Sequence, residues 1–206
     1  MAAPDLIVGL GHRKRVGKDT FGQLLRTSLE RCGYRVFRIS FAYYMKETAW
    51  KLLSHIGLGD SNYYEENPVY KEIPLPLVGK TPRQIWIEYG NAMRVIYPNI
   101  WVDRVRSFID NIDAFPSFGS FILGRKPVAF VITDVRFPNE ADAIRQWGGS
   151  LAVVRRRAAP VANDPAETSL EWYDGWEWIV DNNGTLEHLA DQAATYANFL
   201  MTSKRK

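Results

Sequence analysis

Cysteine is almost missing from this chain: Cys32 is the single one among 206 residues. That excludes an intrachain disulfide and any thiolate metal cluster, and its place at the end of an apolar helical stripe predicts a core filler without chemistry. Histidine is nearly as scarce, and His12, His55 and His188 are too scattered to suggest a metal site. No apolar run approaches the length of a membrane span, and Met1 to Asp5 lacks the charged and apolar regions of a secretory signal, so a cytoplasmic protein is expected. Internal repeats and low-complexity tracts are also lacking, which sets repeat architectures aside. No Ser, His, Asp constellation for nucleophilic catalysis stands out.

What is present fits one ordinary globular core, with 46% hydrophobic residues and room for a small inserted element. The net charge is only +3, yet the positive residues cluster at His12 to Arg15, Arg155 to Arg157 and Lys204 to Lys206. Clusters of this kind favour anionic partners. A nucleic-acid surface is one reading. The first two clusters, however, sit beside expected strand ends, where open α/β sheets form phosphate sites, and the third reads as a solubilising tail.

The most informative stretch runs from Leu6 to Thr20. A short buried strand, Leu6 to Leu10, feeds a turn at Gly11, and a helix starts at Gly17 with its unpaired backbone N–H groups facing the loop. Those donors and Lys18 would clamp a polyphosphate. Five residues, His12 to Val16, separate the two glycines, one more than usual, and Asp19 stands where a Ser or Thr normally follows the lysine. The hydroxyl has moved to Thr20. Either Thr20 reaches a phosphate oxygen while metal is held through water, or Asp19 supplies the metal-side oxygen directly. The Gly-Lys-x-Thr ending resembles that of nucleoside monophosphate kinases. The structural alternative is a glycine-rich turn with a surface lysine.

Periodicity organises the remainder. Phe21, Leu24, Leu25 and Leu29 predict a helix that runs to about Cys32 and stops at Gly33, followed by a strand over Tyr34 to Ser40. Met45, Ala49, Leu52, Leu53 and Ile56 mark a second helix within Ala42 to Ile56. Pro68, Pro74 and Pro76 predict an irregular connection from Asp60 to Lys80. Thr81 and Pro82 then cap and start a helix reaching about Ile96, with another over Trp101 to Ile112 and a connector at Ser117 to Pro127. Val128 to Thr133 reads as a central parallel strand ending at Asp134, with a helix over Asn139 to Trp147. Strands at Ser150 to Arg155 and near Trp178 to Val180 follow. A last helix, Thr185 to Met201, carries Leu186, Leu189, Ala193, Ala197 and Leu200 as its buried stripe. Strand and helix alternate, which argues for a parallel sheet covered on both faces.

Several residues outside the loop carry chemistry. Asp134, at the carboxyl end of the central strand, lies next to the phosphate loop if the two strands are neighbours, and its carboxylate would then orient hydrated magnesium; the alternative is an aspartate that caps the following turn. Arg136 can offer a bidentate fork to a phosphate; the alternative is a surface ion pair, for example with Glu140. Arg83 and Arg94, eleven positions apart on one helix, return to nearly the same face with Gly90 between them, a cationic surface that a nucleotide can approach or, alternatively, a solvated charged face, while Trp86, Tyr89 and Met93 form a neighbouring stripe toward the core. Arg155, Arg156 and Arg157 close a strand and lead into a polar stretch suited to folding over phosphates, and strand alternation turns at least one of them away.

Taken together, Gly17 to Thr20, Ser40-Phe41-Ala42 with Lys46, Thr81-Pro82-Arg83-Gln84 through Gly90 to Arg94, Thr133-Asp134-Val135-Arg136 with Glu140, and Asn182-Asn183-Gly184-Thr185-Leu186 resemble the phage-type deoxynucleoside monophosphate kinases, a branch of the P-loop kinases. The resemblance implies an α/β fold: a P-loop NTPase-type parallel sheet flanked by helices, with a helical substrate-binding element and a mobile lid. Residues 1–206 would form one such domain, the acceptor element at about 60–113 and the lid at about 155–170. It implies an ATP-dependent phosphotransferase with Mg2+ as cofactor, acting in deoxynucleotide metabolism on small nucleotide substrates (ATP and dNMP), in a host cytoplasm if phage-encoded. No membrane or stable nucleic-acid partner is expected, and a homodimer is compatible. By resemblance Gly11, Val16, Gly17, Lys18, Asp19 and Thr20 would bind ATP. Asp19, Thr20 and Asp134 would arrange the metal, and Asp134 would also border the acceptor. Lys46, Arg83, Gly90, Arg94 and Arg136 would hold the acceptor monophosphate, and Lys18, Arg136 and Arg155 would act on the moving phosphoryl group. Competing expectations are a P-loop kinase for another phosphorylated metabolite, a nucleic-acid-associated ATPase, and a nucleotide-binding regulator without turnover.

Overall fold

Each of the six residues of Leu6–Gly11 is buried, which marks this first strand, β1, as the centre of a sheet. A computed structural model describes residues 5–11, 13–112, 126–157 and 168–203. His12, most of the connector at 117–127, the middle of the expected lid (158–167) and the basic tail Lys204 to Lys206 lie outside the described residues. The described chain gathers into two compact units, one from the segments up to Ser40 and from Arg106 onward, the other from Phe41–Val105.

The first unit holds β1, β2 (Arg35–Ile39), β3 (Val128–Val135), β4 (Ser150–Arg155) and β5 (Trp178–Asp181) in the order β2-β3-β1-β4-β5. Every neighbouring pair is parallel. Burial follows that order: β3 and β4 are almost wholly buried like β1, whereas the edge strands β2 and β5 alternate. Helix α1 (Lys18–Arg31) packs against the C-terminal helix of the described chain, Leu186–Ser203. Leu6, Val8 and Leu10 of β1 meet Phe21 and Leu25 of α1 and Leu189 and Tyr196 of that last helix in one core. Ile144, from the helix Pro138–Gln146, reaches the opposite face at Gly9, and Phe108 packs edge-on against Phe130 there. Both faces are therefore covered, as strand and helix alternation predicts.

In the second unit, α2 (Phe41–Leu53) is followed by a 3-10 turn, Ser54–Ile56, which ends at a left-handed Gly57. Next come α3 (Ser61–Glu66), a second 3-10 segment over Pro68–Glu72, and α4 (Pro82–Ile96). Helix α5 (Ile100–Asp110) begins in this unit, and the two in the first unit become α6 (Pro138–Gln146) and α7 (Leu186–Ser203). Ala49, Leu58, Tyr64, Ile85 and Trp86 make the second core. Among the described residues no helix is long and apolar enough to cross a membrane.

Four expectations need correction. The connection after Asp60 is not irregular: the Asp60 side chain accepts the Tyr63 N–H at 2.7 Å and caps α3, while Pro68 opens the 3-10 segment at a position where its missing N–H costs nothing. Cys32 is exposed rather than a core filler, because it follows the last turn of α1 and the chain reverses at a left-handed Gly33. Leu52 lies off the seam formed by Met45, Ala49 and Leu53 and is exposed. Leu186 is likewise exposed at the first residue of α7, and Tyr196 takes a place in the stripe, stacked against Phe21 and Trp178.

Candidate functional site

β1 ends at Gly11, beside Val135 of β3 on one side and Val153 of β4 on the other. The two strands whose adjacency the sequence reading required are direct neighbours, so Asp134, half-buried, stands at the same end of the sheet as the glycine-bracketed loop. This is the carboxyl edge where parallel α/β sheets bind ligands. A methyl group at Gly11 would overlap the Trp176 indole, so that ring closes directly over the strand end.

The loop turns through two left-handed residues, Arg15 at φ 58° and Gly17 at φ 95°. Gly17 is the N-cap of α1 and contributes no side-chain cap, which leaves the helix start open to an anion. Lys18 is only 6% exposed, and its ammonium donates to the Arg13 carbonyl inside the loop. The Arg13 guanidinium pairs with Glu171, and the carbonyl of buried Val16 accepts the Asn182 side-chain amide at 2.8 Å. Asp19 and Thr20 are exposed in the first turn of α1, and Arg38 of β2 approaches Asp19 at 3.4 Å. Among the described residues no cluster of three His, Cys, Asp or Glu side chains forms a metal cage. Asp19, Thr20 and Asp134 offer only hard oxygen donors, a set that fits magnesium sharing its shell with phosphate and water.

Beyond β3, the carboxylate of Glu140, only 2% exposed, accepts the backbone N–H of Arg136 at 2.9 Å and of Phe137 at 3.2 Å. Glu140 is thus buried rather than on the surface; it caps α6 and fixes the backbone that carries half-buried Arg136. Arg155, Arg156 and Arg157 are all exposed where β4 ends.

The other residues singled out from the sequence belong to the second unit. Thr81 and Gln84 form the expected reciprocal cap, Gln84 N–H to Thr81 Oγ1 at 3.2 Å and Thr81 N–H to Gln84 Oε1 at 2.9 Å. α2 and α4 share a seam in which the Lys46 ammonium lies 5.1 Å from the Trp86 ring centre. Gly90 is buried against Met45, with the Arg94 guanidinium beside it, and its carbonyl faces the Trp101 indole N–H at 3.4 Å. Arg83, exposed, pairs with Glu72 at 2.6 Å. Trp86 is buried and Tyr89 packs against the same core, as the periodicity predicts.

Sequence reasoning passed over the side chains that brace the loop: Asn182, Trp176 and Glu171. Only Asn182 left a signal, as part of the run Asn182 to Leu186. No family model matches the sequence. A protein of Acanthamoeba polyphaga mimivirus named "Putative deoxynucleotide monophosphate kinase" is 28% identical over 201 aligned residues, covering 91% of this chain and 93% of the relative. A match of that extent includes residues of both compact units.

Proposed function

We propose that this protein is a nucleotide kinase that transfers the γ-phosphoryl group of ATP to a deoxynucleoside 5′-monophosphate, giving ADP and a dNDP. The observation that carries the reading is Lys18: a buried ammonium at the first residue of a helix whose N-terminus is open, in a glycine-bracketed loop beside the strand bearing Asp134. The similarity to the mimiviral protein supports the same reaction class.

In this reading the backbone N–H groups after Gly17 and the Lys18 ammonium hold the donor's β- and γ-phosphates. Lys46, Arg83, Arg94 and Arg136 hold the acceptor phosphate, with Arg83 exchanging the Glu72 carboxylate for it. Magnesium, held by Asp19, Thr20 and Asp134 with the phosphates, would neutralise charge on the phosphate oxygens. An oxygen of the acceptor phosphate forms the new bond to the γ-phosphorus as the bond to the β-phosphate oxygen breaks, and ADP leaves with that electron pair. The second ionisation of a phosphate monoester lies near pH ~6, so the nucleophile is already an anion at neutral pH and needs no catalytic base. The chain's contribution is positioning and charge: Lys18, Arg136 and Arg155 face the charge that spreads over the transferring group.

A coupled ADP-release assay over dNMPs, NMPs, phosphomevalonate and dephospho-coenzyme A tests the proposal. Turnover with at least one dNMP is the expected result. Inactivity with every dNMP alongside use of another metabolite would reassign the acceptor, and ADP release that depends on DNA instead would replace the kinase with an ATPase.

A further inference from the structure

We infer that Asn182 is a positioning residue of the phosphate loop, holding the Val16–Gly17 peptide in the orientation that nucleotide binding needs; this rests on reading the loop as the ATP site. The side-chain amide bridges 166 positions of sequence to donate to the Val16 carbonyl. In a trans peptide the C=O and the following N–H point to opposite sides, so pinning this carbonyl also sets the direction of the Gly17 N–H, away from Asn182. Gly17 is required here twice over. Its φ of 95° disfavours a side chain, and a Cβ would fall on the Asn182 amide itself.

Asn182 is itself firmly placed. Its backbone N–H donates to the Arg155 carbonyl at 2.8 Å, extending the contact between β4 and β5. The preceding Asp181 is clasped by Gln192 of α7, whose Oε1 accepts the Asp181 N–H at 2.9 Å and whose Nε2 donates to the Asp181 carbonyl at 2.8 Å. An asparagine at a strand end usually bonds within its own turn, and the side-chain amide of neighbouring Asn183 does so by donating to the Asp181 carboxylate. Asn182 reaches out of the turn instead. Asn183 adds a second tie, accepting the Arg157 N–H at 2.8 Å, so one two-residue turn secures both the phosphate loop and the arginine-bearing exit of β4. An amide is needed at 182 because a carboxylate of the same shape would present only acceptors to the Val16 oxygen. Donors held in place before the nucleotide arrives need no reorganisation when charge moves.

The test compares Asn182→Ala and Asn182→Asp, the second keeping the volume while losing the donor, with the wild-type chain. Thermal denaturation establishes that each variant is folded. ATP affinity is expected to weaken about tenfold in both, the equivalent of one lost hydrogen bond, while the acceptor KM at saturating ATP stays within about twofold. Hydrogen exchange of residues 13–20 in the ligand-free protein is expected to accelerate in both variants. Wild-type ATP affinity in Asn182→Asp, or parallel weakening of ATP and acceptor, overturns the assignment. Faster exchange in the variants of a wild-type chain that binds no ATP upholds the clip and removes the kinase reading. Unchanged exchange with normal ATP binding removes the clip alone.

Discussion

Lys18 holds a charge where charges are expensive. An ammonium withdrawn from water costs several kcal/mol unless oxygen acceptors surround it, and the Arg13 carbonyl supplies one. A phosphate would supply a stronger one. Lys18→Ala is therefore expected to leave the melting temperature nearly unchanged while turnover falls by about 10²–10³, because the lost charge acts mainly on the transition state. Steady-state kinetics beside a thermal melt checks this, and near-normal turnover would remove the assigned role. The turn from β1 into α1, with Gly17 before the helix and Lys18 at its first residue, was legible in the sequence because an apolar run followed by bracketing glycines and a new helical period leaves little else for the chain to do. Asn182 and Trp176 were not: their loop contacts, at Val16 and Gly11, are set by the sheet and lie far away in the chain. Cys32 misled because periodicity says which face a helical residue shares and is silent about the residue after the last turn.

At the scale of elements, local chemistry carried most of the information. Ser150–Arg155 runs between the expected bounds, and the Thr81 cap starts α4 where expected. The stretch from Ser61 to Glu72 was missed because proline was taken as a breaker, although it also opens helical turns. Helix α6 depends on one buried side chain, Glu140, whose carboxylate satisfies two backbone donors. Glu140→Ala strands both and is expected to lower stability by about 2–4 kcal/mol, with Glu140→Gln, which keeps an acceptor oxygen, losing about half as much. Urea denaturation midpoints measure the difference. A loss under ~0.5 kcal/mol would show that solvent or another group replaces the carboxylate.

Across the whole molecule, a buried phenol in one unit and a half-buried one in the other link folding to pH. Burial raises the Tyr196 phenol in the first unit, against the opposing hydrogen bond with Ser150, and pushes the Tyr44 phenol in the second up to about 12, against the opposing charge of Arg104. The unfolded chain releases these protons near pH ~10, whereas the folded chain keeps them. The stabilisation is thus fully present below pH ~10 and is lost as pH rises from there through the folded values. Denaturation midpoints are expected to be flat to about pH 9.5 and to fall above it, less steeply in a Tyr44→Phe, Tyr196→Phe double variant; an identical slope in the variant would assign the alkaline loss elsewhere. Strand and helix alternation announced a parallel sheet, yet the order β2-β3-β1-β4-β5 was beyond it, since period and propensity say nothing about which strands pair. That order has a consequence for biosynthesis. Among the described residues β1 pairs with β3 and β4 alone, and beside it the Asp5 carboxylate accepts the Val128 N–H, 123 positions on, while the Asp5 N–H donates to the Val128 carbonyl. On the ribosome the strand leading into the glycine-bracketed loop emerges before either neighbour and waits, without a sheet partner, while the contiguous Phe41–Val105 unit is translated. A strand made before both of its partners is among the last of the sheet to be paired.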